Sequence, residues 1–308
     1  FRGLKGGSKK GEPSEVESAQ AHIIFNQSVE TAASCAFYPK GVITYNGHRI
    51  LNTHQIEVVQ PAPEPTVWGP EGKFPFLSKF LDGLFVKGTY TTPKERMLAW
   101  WKRHYLGCLN RSPLLGHSVF LCGPANCGKT FLNRGIIGAS VGGYADASTY
   151  MTGNDNFNSE LFDYGHWVLD DATAISDERR HLLYSEKMKA MSANGDHRVN
   201  EKFHKASLVP WSGRIIVTLN GDENSKRMIP SLDLSNLDKI MILKVMQSMA
   251  QFLSQPEMRA IRDRELPWFL RWMLNWAAPA HCYEGASPRF GVVPYAEPSI
   301  LRSVNLSG

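Results

Sequence analysis

The chain has 308 residues, 43% of them hydrophobic and 20% charged, with a formal net charge of +5, the profile of an ordinary globular protein of one large or two small domains. No apolar run approaches the ~20 residues that cross a bilayer, and Cys35, Cys108, Cys122, Cys127 and Cys282 form no C-x-x-C pair and no zinc-type Cys/His spacing. A soluble, intracellular protein with scattered reduced thiols is expected, whose mild positive charge permits a polyanionic partner without requiring one.

The chain opens on FRGLKGGSKKGEPSEVESAQ, rich in Gly, Ser and charge and with nothing apolar enough to pack, so residues 1–21 read as a linker inside a longer polypeptide. Residues 22–70 contain GVITYNGHRILN, where β-branched residues flank Asn46-Gly47, the pair that most readily takes the positive φ angles of a tight hairpin turn. QPAPEPTVWGP then reads as an extended connector, because its prolines cannot donate ladder hydrogen bonds. From FLSKFLDGLF to TTPKERMLAWWKRHYLGCL the periodicity is helical, with Thr92 as N-cap, Pro93 at the first helical position and Glu95 closing a capping box; this helical segment spans 71–112. Trp100 and Trp101 are adjacent on that helix and cannot share a face, so one of them is expected to be only partly buried.

Residues 113–250 alternate short apolar strands with helices. HSVFLCG, GHWVLDDA, RIIVTLN and KIMILKV are the strands; helices start at Lys129 and run through SDERRHLLYSEKMKAMSANG, which has acidic residues in its first turn. That alternation predicts an α/β fold, a central, mostly parallel sheet flanked on both faces by helices. Residues 251–308 form a helical C-terminal segment and tail in which Trp268, Trp272 and Trp276 make one stripe, read as packing rather than base stacking.

FLCGPANCGKTF carries the chemistry. Gly123, Gly128, Lys129 and Thr130 complete G-x-x-x-x-G-K-[ST] between a strand and a helix, and with glycine near 7% of average composition a chance match is on the order of one in a hundred. Glycines let backbone N–H groups close on phosphate oxygens, Lys129 reaches the β and γ phosphates and Thr130 offers a hydroxyl to Mg²⁺. The nucleotide-binding set is therefore Gly123, Pro124, Ala125, Asn126, Cys127, Gly128, Lys129, Thr130 and Phe131, with ATP and Mg²⁺ as cofactors. Downstream, Asp170 and Asp171 end an apolar strand, the pattern in which the first acid holds the magnesium shell and the second polarises the attacking water. Asn220 ends another strand, where its amide can contact the γ phosphate, although turn-forming alone also explains an Asn there. Between them NGDHRVNEKFHKASLVPW carries His197, Arg198, Lys202, His204 and Lys205 around Phe203, basic and aromatic side chains suited to a nucleic acid backbone. A solvated hairpin is the alternative.

Taken in this order, the motifs resemble superfamily 3 helicases, compact AAA+-type ring ATPases of small viruses, plasmids and phages. VLDDAT is similar to the acidic motif of papillomavirus replicative helicases, and NGDHRVNEKFHKA to the motif of their DNA-contacting hairpin. ELPWFLRWMLNWAAPAHCYEGASPRFGVVPYAEPSIL and YNGHRILN look like the helicase part of phage and poxvirus-type primase-helicases. The resemblance implies a collar-like role for 71–112, Thr130 and Asp170 on Mg²⁺, Asp171 as base, Asn220 as sensor, and Arg198, Lys202, Phe203, His204 and Lys205 on single-stranded or forked DNA. It further implies a hexamer whose arginine finger comes from the neighbouring subunit; Lys239 stands at that place, with Arg227 nearby. An N-terminal primase domain on the same polypeptide, no membrane association and, for a phage-encoded protein, the bacterial cytoplasm complete the expectation. The function expected is an ATP-dependent DNA helicase or translocase. A small-molecule kinase and a P-loop switch or assembly ATPase share the P-loop and are its rivals.

Overall fold

A computed structural model of the chain describes residues 5–6, 11–85, 93–170, 177–202, 206–230, 232–246 and 253–306. Its centre is a five-stranded sheet of β4 (Ser118–Cys122), β5 (Ala145–Asp146), β6 (His166–Asp170), β9 (Arg214–Leu219) and β10 (Ile240–Lys244). The strand order is β10-β4-β9-β6-β5 and every pairing is parallel, as the alternation of apolar strands and helices predicts. Covered on both faces, such strands read as unbroken apolar runs, and all of β4 and β9 is buried.

Three strands, β1 (Thr31–Ala33), β2 (Gly41–Tyr45) and β3 (His48–Asn52), form a separate sheet of order β1-β3-β2. Its hairpin turns at Asn46 (φ 48°) and Gly47 (φ 83°), the conformation the Asn-Gly pair predicts. The stretch read as linker contains α1 (Glu15–His22), started by a reciprocal capping box between Ser14 and Glu17. A third pair, β7 (Asp196–Val199) with β8 (Ser207–Pro210), is an antiparallel hairpin.

Helices α2 (Pro75–Leu84) and α3 (Pro93–Leu109) precede the sheet; α4 (Ser148–Met151), α5 (Glu178–Ala193), α6 (Glu223–Lys226) and α7 (Leu234–Leu237) lie within it; α8 (Gln255–Asn275) and α9 (Pro298–Leu306) follow. The expected N-cap Thr92 lies outside the described residues. Both Trp100 (1% exposed) and Trp101 (0%) are buried, against the expectation from their adjacency. The helix is covered on two sides: Trp100 Nε1 donates to the His117 carbonyl at 2.9 Å, and Trp101 Nε1 donates to Ser140 Oγ at 3.1 Å and packs on Phe269 of α8. The tryptophan stripe packs as expected, with Trp272 against Trp68, Phe74 and Trp276. From α8 the buried carboxylate of Glu265 accepts the Leu77 N–H at 3.0 Å, capping α2, whose own N-cap position, Phe74, supplies no side-chain bond.

Beneath the sheet, at the start of β9, Arg214 is 1% exposed. Its guanidinium donates to the carbonyls of Leu114 (2.7 Å), Gly213 (3.1 Å) and Ser212 (3.3 Å), and burial pulls its pKa down to about 9. Burial, reinforced by Arg214, also holds His117 and His166 down to about 3 and His104 well below the ordinary imidazole value. A histidine with a depressed folded pKa is neutral when buried and binds its proton only on unfolding. Stability therefore falls as pH drops below about 6.5, each such histidine contributing up to about 1.4 kcal/mol per pH unit until its folded pKa is reached. Thermal melts from pH 7.5 to 5 should show this decline, and His117→Asn should flatten it; a pH-independent melting temperature over that range contradicts it.

Candidate nucleotide site and hairpin

The site is built where β4, β6 and β9 end. Val245 N donates to the Cys122 carbonyl at 2.8 Å, drawing the chain after β10 against Gly123, where a Cβ would stand 2.3 Å from the Val245 carbonyl oxygen. The loop then turns through Asn126 (φ 57°) and Gly128 (φ 103°) into the helix that carries Lys129 and Thr130 and widens to π-type over Phe131–Gly138.

Lys129 is 6% exposed, and its ammonium donates to the carbonyls of Gly123 (2.9 Å) and Pro124 (2.6 Å) and approaches Asn220 Oδ1 at 3.4 Å and Cys127 Sγ at 3.8 Å. Among the described residues every acceptor it reaches is uncharged. A nearly buried cation with only neutral partners fits an anion arriving from outside the chain, and phosphate meets that need. Parallel pairing explains the meeting with Asn220: Cys122 lies opposite Leu219, so the residues after each strand are neighbours.

Asp170 is opposite Thr218 in the next pairing, and its side chain is 8% exposed. Asp170 Oδ1 accepts from Thr218 Oγ1 at 2.8 Å and from Asn133 Nδ2 at 3.2 Å, while Oδ2 accepts from Arg134 Nε. Asn133, fully buried, is itself oriented: its Nδ2 also donates to the Ile216 carbonyl at 3.3 Å, and its Oδ1 lies 2.8 Å from His166 Nε2, the donor in the neutral ring. Neither Asn133, Arg134, His166 nor Thr218 belongs to the sequence-predicted set. The signal available was spacing: Asn133 and Arg134 lie one turn beyond the P-loop, on the helix side that meets β6. Among the described residues no cluster of three or more His, Cys, Asp or Glu could hold a metal. Magnesium does not need one, since it takes one or two carboxylates with phosphate oxygens and waters; exposed Thr130 and Asp170 are the residues that would hold it.

The remaining predicted residues divide. Pro124, Ala125 and Asn126 are exposed on the loop, and Cys127 is 2% exposed. Phe131 is turned away from the loop and packs on Phe76 and Phe80 of α2, with ring centroids at 6.3 and 5.3 Å, so its place is structural. Asp171, Phe203, His204 and Lys205 lie outside the described residues. Arg198 and Lys202 are exposed on the hairpin. His197 is not: it packs between Phe162 and Trp211 with Nε2 3.1 Å from the Asn194 carbonyl, and burial lowers its pKa. Asn158, 2% exposed, clamps the hairpin, donating Nδ2 to the Arg198 carbonyl at 3.1 Å and accepting the Asn200 N–H at 2.7 Å. Arg227 is exposed after α6. Lys239 precedes β10, its carbonyl accepting from Ser118 N at 3.0 Å and its ammonium 2.6 Å from Asp238 Oδ1. Because β4 and β10 run parallel, Lys239 stands at the opposite end of the sheet from the P-loop of its own chain.

Residues 121–231 match the profile of a family described as of unknown function (DUF5906), a span that takes in the P-loop, β6, the hairpin and β9. No curated protein matches the chain. Among solved structures, the A form apo structure of the NrS-1 C-terminal region aligns with a TM-score of 0.58 at 11% identity, covering 96% of this chain and 67% of that one. A second apo structure of that region (305–718) gives 0.54 at 12% identity over 87% of this chain and 62% of that one. The chain thus has the fold of the NrS-1 region over about two thirds of that region's length. A structure of JCV helicase with a bound small molecule overlaps at a TM-score of only 0.34, with 12% identity over 70% of this chain and 61% of that one, too loosely to carry an argument.

Lys129→Met removes a nearly buried charge that meets no anion among the described residues. We expect a melting temperature equal to or above that of the wild type, together with loss of the thermal shift that ATP and magnesium give the wild type. A variant that melts several degrees lower contradicts the reading of Lys129 as a residue poised for a ligand.

Proposed function

We propose that the chain is the motor part of a replication protein, a nucleoside-triphosphatase that moves along single-stranded DNA as a helicase or translocase. The observation that carries the reading is the meeting of Lys129, Asn220 and Asp170 at one end of a parallel sheet, with a clamped basic hairpin rooted at the other end of β9. ATP supplies the phosphoanhydride and Mg²⁺ neutralises the charge that develops on it. Lys129 holds the β and γ phosphates, Thr130 and Asp170 hold the magnesium shell, Asn220 reaches the γ phosphate beside Lys129, and Asp171 orients the attacking water. Asn133 and Thr218 keep the Asp170 carboxylate in one orientation. Exposed Arg198 and Lys202, with Phe203, His204 and Lys205, contact the strand through phosphates and base faces.

The helicase character is supported by the motif set and by the parallel sheet that brings those motifs to one end. Lys239 cannot serve the ATP site of its own chain from the far end of the sheet. A ring, a hexamer by resemblance, gives it a site to serve in the adjacent subunit, with exposed Arg227 as the competing candidate.

Lys129→Ala should abolish ATP hydrolysis, measured as released phosphate. Lys202→Ala with Lys205→Ala should keep basal hydrolysis and lose its stimulation by single-stranded DNA. Normal fork unwinding by that double variant excludes the hairpin role; a wild-type protein whose turnover no DNA stimulates favours the switch ATPase. For the finger, Lys239→Ala should be inactive alone and regain hydrolysis when mixed with Lys129→Ala, because a mixed ring contains interfaces intact on both sides. No recovery on mixing removes Lys239 from the intersubunit site.

A further inference from the structure

Arg134 is the one cation that meets the Asp170 carboxylate among the described residues, and it also meets a second acid. Its Nε donates to Asp170 Oδ2 and its Nη2 to Asp146 Oδ2 at 2.9 Å, so one guanidinium bridges the ends of β6 and β5. The two acids differ in setting. The Asp170 side chain is 8% exposed and that of Asp146 48%, while the arginine between them is 29% exposed. Asp146 is already fixed in place, its Oδ1 accepting from Ser148 N at 3.1 Å and Ser148 Oγ at 2.6 Å.

A carboxylate oxygen accepts two hydrogen bonds. On Oδ1 of Asp170 both are used, by Thr218 and Asn133. Only Oδ2 has room for a metal or its water, and Arg134 stands there. A divalent ion arriving at Asp170 meets a guanidinium within a few ångströms in a nearly buried setting, where like charges are poorly screened. Arg134 is already bonded to Asp146, so an arginine displaced from Asp170 keeps a carboxylate partner. In the bridging position the guanidinium also lies 5.2 Å from the centre of the Tyr144 ring.

We propose that Arg134 sets the metal affinity of the nucleotide site: it holds Asp170 until metal–nucleotide displaces it, and Asp146 receives it then. This rests on the nucleotide-hydrolase reading and adds to it a positioning residue with a stated direction of effect. Removing the arginine should ease metal binding. Removing its alternative carboxylate should hinder it, because Arg134 then has Asp170 alone.

The test follows binding of the fluorescent nucleotide N-methylanthraniloyl-ADP to the full chain while MgCl₂ is raised. Arg134→Gln should bring the magnesium midpoint down by about tenfold, and Asp146→Asn should raise it severalfold. Arg134→Lys, a point charge that cannot bridge two acids, should fall between wild type and Arg134→Gln. Opposite shifts from two neighbouring substitutions are not what loosened packing gives, since damage to the site's packing weakens binding in both variants. Midpoints that coincide with the wild type, or that both rise, overturn the role of Arg134 while leaving the nucleotide site standing. If the wild type binds no nucleotide at any magnesium concentration while remaining folded, both readings fall together.

Discussion

Strand β9 is hydrogen-bonded along both edges, to β4 and to β6, and those two registers decide which side chains meet. One register sets Leu219 against Cys122, so Asn220 and the P-loop leave the sheet side by side. The other sets Thr218 against Asp170 and gives the acid its first hydrogen bond. A slip of one residue in either pairing would turn each side chain of β9 to the opposite face of the sheet. The polar anchors at its two ends, the Arg214 guanidinium among carbonyls and the Thr218 hydroxyl on Asp170, oppose such a slip. At its other end β9 begins at Arg214, whose four carbonyl contacts tie the loop before β4 to the turn after the hairpin.

Electrostatics divides the same strand. At its start, a cation is buried beside neutral histidines and donates through its Nη groups to carbonyl oxygens, although Arg214 Nε and both ring nitrogens of His117 meet no partner among the described residues. At its end, Lys129 is nearly buried with neutral acceptors, and Asp170 is held by a cation that itself has a second acid. The first end contributes to holding the fold together; the second leaves charge to be matched by something that binds. That asymmetry, rather than the P-loop motif alone, separates a site from a turn.

The sheet, the helices around it, the Asn46-Gly47 turn and the P-loop were legible in the amino-acid sequence because each is a local pattern: apolar runs of strand length, a helical period, a glycine pair at fixed offsets. What was not legible depends on contacts between distant segments. Trp100 and Trp101 are both buried because α8 and the loop before β4 close on α3 from two sides, which adjacency on a helix cannot report. The cap that Glu265 gives α2, and the hold of Asn133 and Arg134 on Asp170, join residues far apart in the chain. His197 reads as basic in a basic run, yet strand alternation turns it inward beside Trp211 while Arg198 faces out. Phe131 adjoins the phosphate motif and packs on α2 instead, because a helix places successive residues about 100° apart.

These contacts also tie the hairpin to β9. The hairpin does not hang freely from the chain: Asn158 holds its first strand through Arg198 and Asn200, and the Trp211 backbone N–H donates to the Gly195 carbonyl at 2.9 Å, closing the hairpin's base. From that base the chain enters β9 within a few residues and reaches Thr218 and Asn220 with no flexible joint between. A strand of this length, ~20 Å at ~3.3 Å per residue and bonded on both sides, transmits displacement as a rigid element rather than absorbing it. The P-loop end of the sheet and the hairpin are thus joined by one strand bonded along both edges, with Lys239 at the hairpin's end of the sheet.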